Sequence, residues 1–417
     1  MERRQKIPLK LKLIRFKNSD FFSFVDKIIN SAKPPKNFPG VPKKILFFRN
    51  DRIGDAVCTL PVLRDLKINH PAIHIHLICS EKNKFVFDGL AFIDKLIVYS
   101  PPNWDEENLS VIFKVPIIGK AFQFLFHFLL PRFFNSNFKR FISDLKNENY
   151  DAAIDLIGRR RIAILGSMVA KFTAGSRLFL LSWLYSYYLN VNWVSPYDKD
   201  FMSRKIQFLL EDSLGLSFKI KNETLPYKKD EVSLQKKEND IFIHLGTGKV
   251  RKFEPGKEIE IIKSLSIFKL IVTDGYESES FKKQKDYFKE FPNIQFKIYS
   301  NLTDIIPDVK KSKLMLSYDG GQTHLLSQHI PSVVIFGPGA VELWKPYEFK
   351  DYSIVKEWDN NLRVIQSQGQ YEHEVIYKKI WCSPCFDVGC EERPCLAAIT
   401  PEILSETVKN KLLSLND

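Results

Sequence analysis

Asp55 ends the run Asn50-Asp51-Arg52-Ile53-Gly54-Asp55, which lies between an apolar stretch at 43–48 and a longer apolar-periodic stretch at 56–67. The first stretch reads as a buried strand and the second as a helix, with Gly54 permitting a sharp turn between them. A carboxylate at a strand's carboxyl end in an open α/β sheet lies where such sheets bind ligands, and it is placed there to take a proton from a bound hydroxyl. Asp is also a preferred helix N-cap, so the loop taken alone supports both a base and a cap.

Two further turns carry groups suited to an anion. Tyr318-Asp319-Gly320-Gly321-Gln322-Thr323-His324 joins a strand at 313–317 to a helix running through 325–329. Its glycines allow close backbone approach, and free amides at a helix start favour a diphosphate. His324 then projects from the first helical turn toward that anion, although glycine pairs also serve turn geometry alone. Arg251-Lys252-Phe253-Glu254-Pro255 follows the strand at 241–245 and its turn Gly246-Thr247-Gly248-Lys249, and brings two cations to the same sheet edge. A leaving diphosphate needs such compensation, and arginine can hold phosphate oxygens bidentately; a solvated basic turn is the plainer reading. Phe336-Gly337-Pro338-Gly339 forms a second glycine-containing turn on that edge.

The elements that must position these groups repeat twice. Strands are expected at 43–48, 73–79, 95–99 and 150–157, then again at 241–245, 268–273, 294–298, 313–317 and 332–336, with helical stretches between them. That alternation implies parallel sheets. At 417 residues the chain exceeds what one core organises, so two domains are expected, and the polar run 219–240 reads as their linker. The boundaries drawn are a basic extension at 1–40 ending in Pro34-Pro35-Lys36-Asn37-Phe38-Pro39-Gly40, a domain at 41–222, a second at 240–400 and a terminal helix at 401–417. Two Rossmann-like domains facing one cleft is the architecture inferred.

The hydrophobic share of 44% and charged share of 27% are globular values and exclude a disordered chain. A net charge of +13 points to an acidic partner, with nucleic acid, anionic lipid and phosphorylated substrates as candidates. Residues 1–17 are too charged for a secretory signal, so a cytoplasmic location is expected. The apolar segment 121–130 stops at Pro131-Arg132, short of the roughly 20 residues of a spanning helix. Its flanks hold Lys114, Lys120, Arg132, Lys139 and Arg140. The insert at 111–142 therefore reads either as a helix lying on an anionic membrane surface or as a buried core helix.

The ordered set of 45–49, Ile53-Gly54-Asp55, Thr59-Leu60-Pro61, Arg251-Lys252-Phe253, Asp319-Gly320-Gly321-Gln322-Thr323-His324-Leu325, Phe336-Gly337-Pro338 and Trp344 resembles glycosyltransferase family 9, the ADP-heptose:lipopolysaccharide heptosyltransferases. The resemblance spans residues 41 to 405. It implies a GT-B fold and an inverting, metal-independent transfer of a sugar, heptose from ADP-heptose, to a lipopolysaccharide core or related lipid-linked saccharide. No cofactor is implied for catalysis beyond the nucleotide-sugar donor. The base role falls on Asp55, the diphosphate contact on Arg251 or Lys252, and donor binding on Asp319, Gly320, Gly321 and His324, with Gly54 and Thr247 in the adjoining turns. Glu277, after Gly275-Tyr276, matches the family's ribose-contacting acid more loosely. The chain departs from the family pattern in having Phe253-Glu254-Pro255 where a Trp-Pro pair is usual, and Gly320 where a small hydroxyl residue is usual. A peripheral location on the inner face of the inner membrane is implied.

Cys382, Cys385, Cys390 and Cys395 crowd one segment, and their spacing suits a structural zinc or iron site better than disulfides in a reducing compartment, though the second pair lacks the short zinc-knuckle spacing. Cys58 and Cys79 read as core residues. Asp198-Lys199-Asp200 resembles a metal-binding D-x-D, but it follows no clear strand and reads as chance. Two other classes use some of these features. A zinc-dependent nucleic-acid binder would use the charge and the cysteines, yet no nucleic-acid module is recognisable, so no nucleic-acid partner is expected. A nicotinamide-dependent dehydrogenase would need G-x-G-x-x-G after a strand, which neither half has. Within the favoured class, transfer to a surface protein is the alternative to a lipid-linked acceptor.

Overall fold

Long runs of β-branched and aromatic residues between glycine-rich turns set the strands, and their burial organises two sheets. The structure, a computed structural model, describes residues 36–99, 136–158, 160–176, 187–189, 202–220, 237–248, 251–275, 277–346, 352–359, 361–367, 371–380, 382, 383, 385, 390 and 392–415. The chain divides into two compact units, the first made of residues 1–51, 66–193 and 206–218, and the second of 52–65, 194–205 and 219–417.

In the first unit the elements run β1 (Lys44–Phe48), α1 (Ile53–Asn69), β2 (His74–Cys79), α2 (Lys84–Phe87), β3 (Lys95–Val98), α3 (Ser136–Asn147), β4 (Tyr150–Asp155), α4 (Arg160–Val169), β5 (Ala170–Ser176), β6 (Tyr187–Leu189) and α5 (Met202–Leu214). Both α1 and α5 are shared between the units. The sheet order is β3-β2-β1-β4-β5-β6, parallel throughout. Ile45, Leu46, Phe47 and Phe48 of β1 are fully buried, each contributing roughly 1.5–3 kcal/mol by leaving water. β1 pairs with β2 on one side and β4 on the other, so the chain reverses its direction across the sheet at β1. That reversal is the switch point where ligands bind in such folds.

The second unit continues with β7 (Asn239–His244), α6 (Pro255–Ser264), β8 (Leu270–Thr273), α7 (Glu279–Tyr287), β9 (Ile294–Phe296), α8 (Ile306–Lys310), β10 (Ser312–Tyr318), α9 (Gly321–Leu326), β11 (Ser332–Phe336), α10 (Val341–Trp344), β12 (Tyr352–Asp359), β13 (Leu362–Ser367), β14 (Glu374–Lys378), α11 (Pro394–Ala397) and α12 (Pro401–Ser414). Its order is β12-β13-β14-β11-β10-β7-β8-β9, with the β12–β13 and β13–β14 pairs antiparallel and the other pairs parallel. Here the reversal falls between β7 and β10, whose carboxyl ends lead into the turns holding Thr247, Arg251 and Asp319.

Three expectations change. The helix expected at 56–67 begins at Ile53, so Gly54 and Asp55 sit in its first turn and Gly54 is helical rather than a turn residue. The helix after Asp319 ends at Leu326, before the expected 329. The antiparallel extension β12–β14 has no counterpart among the expected strands; in β12, Tyr352, Ile354 and Val355 are all exposed, without alternation of buried and exposed side chains. The extension at 1–35, most of the 111–142 insert, the linker core at 221–236 and Asp198-Lys199-Asp200 lie outside the described residues.

Candidate functional site

The site residues gather at the carboxyl edge of the second sheet. Asp319 is held by its backbone, its N–H donating to the Ile335 carbonyl at 2.9 Å, while its own carbonyl accepts from the Thr247 hydroxyl at 2.9 Å. Its carboxylate is buried and faces one cation, Arg251 Nη1 at 3.0 Å from Oδ2. Burial raises the Asp319 pKa above the usual carboxylate value, and Arg251 opposes that rise. Packing against this carboxylate is tight: a Cβ added at Gly339 would lie 2.5 Å from Asp319 Oδ2. The turn after β11 therefore has room for glycine alone.

Lys252 points elsewhere. Its Nζ lies 2.6 Å from Asp274 Oδ1, and Ser278 Oγ donates to the other oxygen at 3.0 Å. Asp274 is 3% exposed, so the ion pair is largely desolvated. Of the two cations in this turn, Arg251 joins the Asp319 segment and Lys252 ties the turn to the end of β8. The next residue anchors the turn in the core: Phe253 N–H donates to Tyr318 Oη at 3.2 Å, Tyr318 donates to Glu258 Oε1 at 2.8 Å, and Gln284 Nε2 donates to Glu258 Oε2 at 2.6 Å. Phe253 packs edge-on against Tyr318 at 5.6 Å, filling the aromatic position of the turn.

His324 is fully enclosed on α9. Burial, with Arg251 adding to it, lowers its pKa to about 4, so the ring is neutral at physiological pH and offers a hydrogen bond rather than a charge. Its ring meets Trp344 edge-on at 6.1 Å. On its other side, a Cβ added at Gly54 would lie 3.2 Å from His324 Cδ2 and 3.0 Å from Gly321 Cα; one added at Gly321 would lie 2.7 Å from the Gly54 nitrogen. Residues 52–65 group with the second unit, and these two glycines are what let the first turn of α1, with Asp55, come against the start of α9. Gly320 is extended backbone, and Gln322 Nε2 donates to the Gly246 carbonyl. Asp55 is half-buried and its carbonyl accepts from Thr59 Oγ1 at 2.9 Å. Glu277 is exposed just before α7, beyond Gly275, whose φ of +80° places it in the glycine-favoured left-handed region.

Asp274, Gly339 and the Glu258–Tyr318 pair were not singled out from sequence. Asp274-Gly275 after β8 and Phe336-Gly337-Pro338-Gly339 after β11 carried the only signal, turns at strand ends. Among the described residues no group of three or more His, Cys, Asp or Glu side chains is arranged to hold a metal ion. Burial raises the Cys395 thiol to about 11, and burial also raises Cys382. Cys58 and Cys79 are buried in the core. Among the described residues no helix is long and apolar enough to cross a membrane.

No protein-family model matches the chain. A lipopolysaccharide heptosyltransferase 1 from Campylobacter coli is 24% identical over 324 residues, covering 70% of this chain and 84% of that protein. The E. coli heptosyltransferase WaaC with ADP-2-deoxy-2-fluoro heptose superposes with a TM-score of 0.57 at 16% identity, over 88% of this chain and 99% of that one. The glycosyltransferase family 9 structure from Veillonella parvula gives 0.57 at 14% identity, over 89% and 97%. The chain is similar to heptosyltransferases of glycosyltransferase family 9. Its two α/β units with parallel sheets match the GT-B structures of such heptosyltransferases. In this heptosyltransferase-like chain the residues that carried the sequence resemblance around Asp319 are the ones that line the carboxyl edge of the second sheet.

Proposed function

We propose that this protein is an inverting, metal-independent transferase that moves a sugar, heptose from ADP-heptose, to a lipopolysaccharide core or related lipid-linked acceptor. The observation that carries this reading is the Arg251 guanidinium 3.0 Å from Asp319, at the turn where the sheet order reverses. A cation on a glycine-lined turn at that point suits a nucleotide diphosphate.

The reaction is a direct displacement. Asp55 takes the proton of an acceptor hydroxyl as that oxygen attacks the anomeric carbon; the new C–O bond forms on the face opposite the leaving group, and the old bond's electron pair departs on the diphosphate. Arg251 compensates the negative charge that builds there, and the Gly321 backbone approaches the phosphates. His324, neutral, contributes a hydrogen bond, and Glu277 accepts from the ribose hydroxyls. Lys252 holds the turn through Asp274. The proposed division of labour gives acceptor binding to residues 41–222 and donor binding to 240–400.

The basic flanks around 111–142 favour a cytoplasmic enzyme working peripherally on an anionic membrane face. Incubation with a panel of nucleotide sugars, followed by mass spectrometry of the products, tests the donor and the reaction together; product formed from ADP-heptose and unaffected by EDTA is expected. Asp55→Ala should abolish transfer and leave ADP affinity nearly intact. Full activity in that variant removes Asp55 from the chemistry.

A further inference from the structure

The cysteine-rich segment reaches into the site without supplying a cysteine to it. Arg393 Nη1 donates to the Lys252 carbonyl at 2.8 Å, and Nη2 pairs with the Glu254 carboxylate. One guanidinium thus clamps the turn Arg251-Lys252-Phe253-Glu254 on either side of Phe253, whose own N–H is held by Tyr318. Arg393 is itself fixed on a rigid base. Cys395 and Leu396, immediately after it on α11, lie in the core of the second unit. Leu396 fills the space that a side chain at Gly337 would occupy, and Lys257 Nζ donates to the Leu396 and Ala397 carbonyls at 3.1 and 3.2 Å. Upstream, the Cys385 N–H donates to the Pro338 carbonyl at 2.8 Å, joining the segment to the turn that packs on Asp319. Arg393 also holds φ at +38°, the left-handed region that disfavours a side chain; Asn149 is the other non-glycine residue there among the described residues. Strain of this kind persists where the side chain is held by its surroundings, and it clusters at functional sites.

We propose that Arg393 is a positioning residue for the donor site: by holding the Lys252 carbonyl and the Glu254 carboxylate it fixes the turn that aims Arg251 at Asp319. The inference rests on the reading of that turn as the diphosphate site.

Arg393→Gly separates positioning from folding, because glycine adopts this φ freely and should leave the melting temperature unchanged or raised. ADP affinity, measured by calorimetry, should fall about tenfold or more as two charge-assisted bonds are lost. Hydrogen exchange of the 251–257 peptide, measured without nucleotide, should quicken. Arg393→Lys, which can reach one acceptor but not span both, should recover part of the affinity. Unchanged exchange in Arg393→Gly overturns the proposal whatever the nucleotide result, and unchanged ADP affinity in that variant does the same. Quickened exchange in the variant, with a wild type that binds no ADP, keeps the clamp and removes the donor reading instead.

Discussion

Arg251 and Asp319 form a buried-edge ion pair: Nη1 lies 3.0 Å from Oδ2, with the arginine side chain 33% exposed and the aspartate 4%. Burial raises the aspartate's pKa, and the arginine opposes that rise. Arg251→Ala removes the cation offered to the diphosphate and leaves Asp319 without this counter-charge. Donor affinity should drop by about tenfold to a hundredfold, from losing charged hydrogen bonds of roughly 1.5–3 kcal/mol. Calorimetric titration with ADP checks it, and an unchanged Kd would detach Arg251 from the donor.

Lys252, its neighbour, should behave in the opposite way. Lys252→Ala strands Asp274 in a desolvated position, and breaking such a pair costs about 3–5 kcal/mol. Urea unfolding should reveal that loss. Lys252→Ala/Asp274→Ala, with both charges gone, should recover part of the stability, and the pair of variants thereby assigns the two cations to different tasks.

Glycine positions give a steric prediction. At Gly339 an added methyl would meet Asp319 Oδ2 at 2.5 Å, and at Gly321 one would meet the Gly54 backbone nitrogen at 2.7 Å. Neither neighbour can retreat cheaply, the first being a buried carboxylate and the second main chain. Gly339→Ala should weaken ADP binding by displacing Asp319, and Gly321→Ala should lower turnover as well, because it forces the start of α9 away from the turn bearing Asp55. Gly248→Ala is the control, since an added Cβ there meets nothing within 4 Å. Loss of activity in the control equal to that in the other two would refute the steric account.

Acid should unfold the protein through its histidines. Burial lowers His244, His324 and His329 to about 4 and His373 to about 3. Unfolded, these rings take up protons near pH 6.5, so between pH 6.5 and 4 the unfolded state binds more protons than the folded one and stability falls as pH is lowered. Glu374, raised by burial to about 7, acts in the opposite sense: it favours the folded state below its usual value of 4.5 and loses that contribution as pH rises through 7. The histidines outnumber it, and the net slope should be an acid-side loss of several kcal/mol. His329→Phe, which removes a ring nitrogen buried without a hydrogen-bond partner in the structure, should flatten the slope in denaturant titrations at pH 7 and 5.

The strand at the head of each unit and the parallel part of each sheet were readable from composition along the chain, because β1 and β7 carry the apolar runs 45–48 and 241–243, which must leave water. The places of Asp55, Arg251, Asp319 and His324 in the fold were readable for a related reason: each lies shortly after such a run, at or just beyond a strand's carboxyl end. What the chain could not disclose by itself is which distant groups these residues meet. Lys252 and Asp274 are 22 positions apart, Thr247 and Asp319 72, Arg393 and Lys252 141. Those meetings are decided by the sheet order that sets β7 beside β10 and β8, and by the burial of Leu396 that carries Arg393 to the turn. Sequence spacing fixes neighbours along a helix or strand; across a sheet, only the packed fold brings charges and glycines into register.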